Sequence, residues 1–170
     1  MANLFELKSL SPGAVGLALE KAEQYRLLNE PWAAESICLD VLAAQPGHQH
    51  AVRTLLLART DQFSADLAGG VAGAREALAQ LSGEYDRAYF AGIICERRAK
   101  AQLDQRVPGA RFMAYEWIRE AMASYARAES LRPAGNDDAV LRWNTCARLL
   151  NASPHISPRG DEAPEPAIGD

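Results

Sequence analysis

The segment Arg111–Leu131, RFMAYEWIREAMASYARAESL, decides the fold class of this chain. Residues spaced three and four apart lie on one face of an α-helix, and charged residues between them fall on the opposite face. The apolar residues of the segment follow that spacing in the series Ala114, Trp117, Ile118, Ala121, Met122, Tyr125 and Ala128. The segment is therefore predicted to be an amphipathic helix that packs by one face.

The rest of the chain is helical by the same criteria. Ala, Leu, Arg, Glu and Gln, which favour helices, fill long stretches, and no run of alternating β-branched residues predicts a strand. Prolines, glycines and polar turns divide these stretches into seven predicted helices, at about 11–29, 31–44, 50–63, 71–81, 84–106, 111–131 and 136–151. The predicted fold class is all-α.

The chain is predicted to form one domain with a tail. Its 170 residues are the size of a single core, which we place at 11–151. Residues 152–170 carry scattered prolines and acids with no apolar periodicity, so little surface is available there to offset the entropy of ordering. They are predicted to be a flexible tail.

Charge and hydropathy disfavour nucleic acid and membranes as partners. The formal net charge is -4, whereas binding to phosphate backbones or anionic lipids needs a cationic surface. No stretch approaches the roughly 20 apolar residues that span a bilayer, and Glu6 interrupts the segment where a secretory signal would be apolar. We expect a cytoplasmic protein without membrane insertion.

No motif for catalysis, metal binding or a cofactor is found in the sequence. Cys38, Cys95 and Cys146 lack the spacing of a zinc site, and they are expected to be small apolar residues on helix faces. His48 and His50 fall on different faces of a helix. The glycine-rich stretch 69–73 lacks the spacing and the lysine of a phosphate-binding loop, and we interpret it as a flexible turn. Neither catalytic residues nor a cofactor are therefore predicted.

An internal repeat relates the second helix to the sixth. The same offset, 87 residues, joins four pairs of landmarks, each pair matching in size or type: Ala34 with Ala121, Cys38 with Tyr125, Val41 with Ala128, and Pro46 with Pro133. Small residues let paired helices approach closely, and a proline ends the second helix before the next begins.

This pattern resembles the second helix of a tetratricopeptide repeat. Ala22 and Tyr25 fall where that family has a small residue and an aromatic in the first helix, so the resemblance covers Val15–His48 well and 50–81 only by helix lengths. An offset of 87 exceeds two repeats of about 34 residues, so the later part is not a regular array. The resemblance implies stacked antiparallel hairpins in a short superhelix, with an elongated last hairpin and a C-terminal capping helix.

The resemblance also implies a function, namely the binding of a protein or peptide partner by a non-enzymatic adaptor or accessory subunit. In such arrays the first helix of each hairpin lines a concave groove. The groove positions of the family fall on Glu23, Arg26, His50, Arg53, Asp61, Tyr89, Glu96 and Arg97. The alternative is an enzyme or ligand-binding helical domain with a pocket between the long fifth and sixth helices, and self-association also stays open.

Overall fold

The computed structural model describes residues 4–160, and in this range the chain is helical without any strand. A short 3-10 helix, Pro12–Ala14, precedes the first α-helix. The seven α-helices are α1 (Val15–Leu27), α2 (Pro31–Ala44), α3 (Gln49–Thr60), α4 (Leu67–Ala79), α5 (Glu84–Gln105), α6 (Ala110–Leu131) and α7 (Asp138–Ala152). The all-α prediction is confirmed.

Each helix packs against the next one along the chain, and α3 also contacts both α1 and α5. The most extensive contact joins the two 22-residue helices α5 and α6. Gly92 of α5 lies against Tyr125 of α6, and Gln102, further along α5, lies against Met113, which comes earlier in α6. The two long helices are therefore antiparallel.

The landmarks of the internal repeat are the most deeply buried positions of their helices. The side chains with no solvent-exposed surface include all six of its helical positions, Ala34, Cys38, Val41, Ala121, Tyr125 and Ala128. The main core draws residues from all seven helices, and a smaller cluster around Val15 and Leu19 closes the N-terminal end. The repeat thus marks where neighbouring helices approach.

The glycine-rich segment belongs to α4, so our interpretation of residues 69–73 as a flexible turn was wrong. The helix begins at Leu67, because the Asp66 carboxylate caps it by accepting a 3.0 Å hydrogen bond from the backbone N–H of Gly69. A Cβ at Gly70 would lie 2.8 Å from a ring carbon of Phe63. Glycine is needed there for close packing of the preceding loop against the helix.

Other helix ends agree with the sequence prediction to within about four residues, although the capping differs. The side chain of Ser11 makes no capping hydrogen bond, and regular α-helix starts only at Val15. At α7 the side chain of Asn136 accepts a 3.0 Å hydrogen bond from the backbone N–H of Asp138. None of these differences changes which side of a helix is buried.

The core extends past the predicted domain boundary at residue 151. Ile156 is only 5% exposed and packs into the main core. A single apolar residue in a polar segment has no periodicity, so this contact could not be predicted from the sequence pattern. The remaining part of the predicted flexible tail, 161–170, lies outside the described residues.

None of the helices in residues 4–160 is long and apolar enough to cross a membrane.

Candidate functional site

Ion pairs between helices α1, α3 and α5 define one face of the protein, which we call the α1–α3–α5 face. It contains six of the eight residues that the sequence predicts as partner-binding, together with Asp86 from the first turn of α5. The six are Glu23, Arg26, His50, Arg53, Asp61 and Arg97.

The more exposed part of this face carries two side-chain pairs. Nε2 of His50 lies 2.6 Å from Oε1 of Glu23, and both side chains are about half exposed. Nη1 of Arg53 donates a 2.8 Å hydrogen bond to Oδ2 of Asp86. Solvent-exposed pairs of this kind contribute little net stability. Glu23, His50 and Arg53 are the more exposed members of these pairs and can exchange partners at small cost, whereas Asp86 is about three-quarters buried.

Asp61 lies at the centre of the less exposed part. Nε of Arg26 donates a 2.7 Å hydrogen bond to one carboxylate oxygen of Asp61, and Nη1 of Arg97 donates to the other. Arg97 also donates a 2.8 Å hydrogen bond to the hydroxyl of Thr60. Because these side chains are three-quarters or more buried, the Asp61 cluster fixes the spacing of α1, α3 and α5.

The family pattern predicts that Glu96 faces the solvent in the groove, and this prediction was wrong. The side chain of Glu96 is buried. Its carboxylate accepts 2.6 Å hydrogen bonds from the Tyr125 hydroxyl and from Lys100, and Arg142 of α7 lies 3.5 Å away. Burial by itself raises the pKa of Glu96, but the hydrogen bonds and the positive charges outweigh it and hold the pKa below its usual value. Glu96 joins α5, α6 and α7, and we leave it out of the binding face.

Tyr89 belongs to an aromatic cluster that joins α5 to α6. Its ring stacks on Tyr85 with centroids 5.8 Å apart, and it lies 5.9 Å from the ring of Tyr125. The side chain is partly buried against the main core. Tyr89 is thus predominantly a packing residue, and it takes no part in the ion pairs of the α1–α3–α5 face.

Asp86 is the residue of this face that sequence reasoning missed. It sits in the first turn of α5, where an acid is already explained by the positive end of the helix. The signal that could have revealed it is its separation of 33 residues from Arg53, close to one repeat of about 34.

The cysteines offer no activated nucleophile. Burial raises the pKa of the Cys38 thiol to about 12 and that of Cys146 to about 12 as well, so both stay protonated. Burial also raises the pKa of Cys95, which is partly buried. The interpretation of these residues as small packing side chains agrees with the complete burial of Cys38 and Cys146.

A metal ion would need several ligands in one place. Across residues 4–160, no group of three or more His, Cys, Asp or Glu side chains is arranged to hold one. What the α1–α3–α5 face can offer a partner is therefore its set of paired charged side chains.

No protein-family model, curated protein or solved structure matches this chain. Its family is accordingly a proposal based on its own residues and contacts.

Proposed function

We propose that this protein is a non-enzymatic interaction module of the tetratricopeptide type, an adaptor or accessory subunit that binds a protein or peptide partner on the α1–α3–α5 face. We take α1, α3 and α5 as the first helices of successive hairpins, and the proposed binding surface is the charged surface between them. Peptides are recognised on such surfaces by charged side chains on a rigid helical frame.

The observation that carries this proposal is the sequence spacing of the ion pairs. In three of the four pairs the separation is close to one repeat: 35 positions for Arg26 and Asp61, 36 for Asp61 and Arg97, and 33 for Arg53 and Asp86, whereas Glu23 and His50 are 27 apart. A tetratricopeptide repeat is about 34 residues long, so its equivalent first helices lie side by side at this separation. Contacts of α3 with α1 and α5 accord with that arrangement.

The exposure of the charges divides the face into two roles. The Asp61 cluster is the less exposed part and holds the three helices together. The side chains of Glu23, His50 and Arg53 are 38–51% exposed, whereas Asp86, at 24%, is as buried as Arg97. Pairs that involve exposed side chains are worth roughly 0.2–1 kcal/mol each. A partner with charged groups in complementary order can replace these weak pairs with its own, and we assign recognition to Glu23, His50 and Arg53, with Asp86 positioning Arg53.

A comparative capture experiment tests this assignment. The tagged full chain, a His50→Ala/Arg53→Ala variant and an Arg119→Ala/Arg127→Ala variant are used to capture proteins from an extract of the source organism, with recovery quantified by mass spectrometry. Arg119 and Arg127 are exposed on α6, away from the proposed face, and so control for the loss of two polar side chains from a helix surface.

We expect at least one protein that the wild type and the α6 variant recover equally and that the α3 variant loses. Recovery of the same proteins in the same amounts by all three forms would contradict the proposed face. Circular dichroism of the variants checks that neither substitution alters the helical content.

A further inference from the structure

A cavity of about 690 Å³ lies at the end of the long helix pair where α5 turns into α6. Its lining includes Leu103 and Arg106 from the end of α5, Arg111 and Phe112 from the start of α6, and His155 from the segment after α7. Pockets for small molecules commonly measure about 300–1,000 Å³. The cavity is therefore of a size suited to a small molecule.

Positive groups from three parts of the chain converge on this cavity. Arg106 and Arg111 line it, and the guanidinium of Arg159 extends to its rim, with Cζ 6.0 Å from the centroid of the Phe112 ring. Burial of Ile156 anchors the segment that carries His155 and Arg159. The C-terminal segment is thus held beside the helix pair, where Arg159 adds a positive charge to those of Arg106 and Arg111.

These arginines have no acidic partner among residues 4–160, since none of the ion pairs in that range includes Arg106, Arg111 or Arg159. The chain as a whole is acidic, with a net charge of -4. Like charges that share a cavity repel one another, and a bound anion relieves that repulsion. The charge distribution at this end of the helix pair therefore favours an anionic ligand.

We propose that the cavity binds a small organic phosphate, with its phosphate groups on Arg106, Arg111 and Arg159 and its apolar part against Phe112 and Leu103. Guanidinium groups bind phosphate oxygens through two parallel hydrogen bonds, which makes arginine the preferred side chain for this purpose. The volume of this open cleft lies within the range of small-molecule pockets and suits a compact ligand. The site is separate from the α1–α3–α5 face and does not depend on the function proposed for it.

Calorimetric titration of the full chain with ATP and with inorganic pyrophosphate tests the proposal. The variants are Arg106→Ala/Arg111→Ala, Arg159→Ala and Phe112→Ala, and Arg119→Ala/Arg127→Ala on the exposed surface of α6 is the control with matched charge. A Glu-rich peptide of eight residues is titrated in parallel to represent an acidic peptide ligand.

We expect saturable binding of ATP that weakens about tenfold for each arginine removed from the cavity and is unchanged in the control. Phe112→Ala should weaken the binding of ATP and leave that of pyrophosphate unchanged, because only ATP has an organic part to place on the ring. Absence of saturable ATP binding by the wild type, or equal weakening in the control, would overturn the proposal. Tighter binding of the Glu-rich peptide than of ATP, lost in Arg106→Ala/Arg111→Ala, would overturn it in favour of an acidic peptide.

Discussion

The Tyr125 hydroxyl donates a 2.6 Å hydrogen bond to Oε2 of Glu96 inside the contact between α5 and α6. Tyr125 has no exposed surface, and Glu96 is 1% exposed. A buried carboxylate is costly unless its oxygens are hydrogen-bonded and its charge is balanced. Tyr125, Lys100 and Arg142 together supply what Glu96 requires, and the network joins the three C-terminal helices.

Replacing Tyr125 by phenylalanine is expected to lower the free energy of unfolding by roughly 1–3 kcal/mol, since Oε2 of Glu96 then loses its donor in the interior. Urea denaturation followed by circular dichroism measures the change. Tyr115→Phe, which removes the hydroxyl of a partly buried tyrosine in the same helix, is the control. Equal effects of the two substitutions would show that the Glu96 hydrogen bond adds no specific stability.

Acid should weaken the same network. The pKa of Glu96 in the folded protein is held below its ordinary value of 4.5. The ionised carboxylate therefore contributes stability that is fully present above pH 4.5 and is lost as the pH falls through the lower folded value. Between pH 7 and pH 3 the wild type should lose more unfolding free energy than Glu96→Gln, which has no proton to gain at this position. Parallel pH profiles of the two proteins would contradict the role of the charge.

Two helical glycines should respond to alanine with opposite signs. In an exposed helix, alanine is favoured over glycine by up to about 1 kcal/mol, and Gly16 of α1 has nothing within 4 Å of the position of an added Cβ. The same Cβ at Gly92 of α5 would lie 2.5 Å from the ring of Tyr125, which is fully buried and cannot move away. Gly16→Ala should raise the melting temperature and Gly92→Ala should lower it. A gain for both would mean that α5 and α6 are further apart at this point.

The segment after α7 should also contribute to stability. Ile156→Ala is expected to lower the free energy of unfolding by about 2–4 kcal/mol, because a 5% exposed side chain in the main core leaves a cavity when truncated. Deletion of residues 161–170, which lack apolar periodicity in the sequence, serves as the comparison and should leave the melting temperature nearly unchanged. If Ile156→Ala had no effect, the anchoring of His155 and Arg159 at the cavity would also be in doubt.

Periodicity predicted most of the helices because the spacing of apolar residues reports directly which face is buried. It predicted α6 nearly to the residue, and the six helical landmarks of the repeat are all fully buried. It placed the start of α4 four residues too late, since the low helix propensity of Gly69 and Gly70 concealed a helix whose glycines serve close packing.

Side-chain pairing was less predictable than the helices. Whether Glu96 faces solvent or Tyr125 depends on the rotation of α5 about its own axis, which a repeat pattern defines only loosely. The cavity at the turn between α5 and α6 brings together His155 and Arg106, 49 residues apart, and the burial of Ile156 holds the segment that carries His155. No local pattern in the sequence carries that information.

Site-specific photo-crosslinking in cells of the source organism tests the proposed binding face most directly. A benzoylphenylalanine is placed at position 53, on the α1–α3–α5 face, and separately at position 127, on the exposed surface of α6. We expect a partner protein to be crosslinked from position 53 and not from position 127. The same partner crosslinked from position 127 and not from position 53 would contradict the assignment of partner binding to the α1–α3–α5 face.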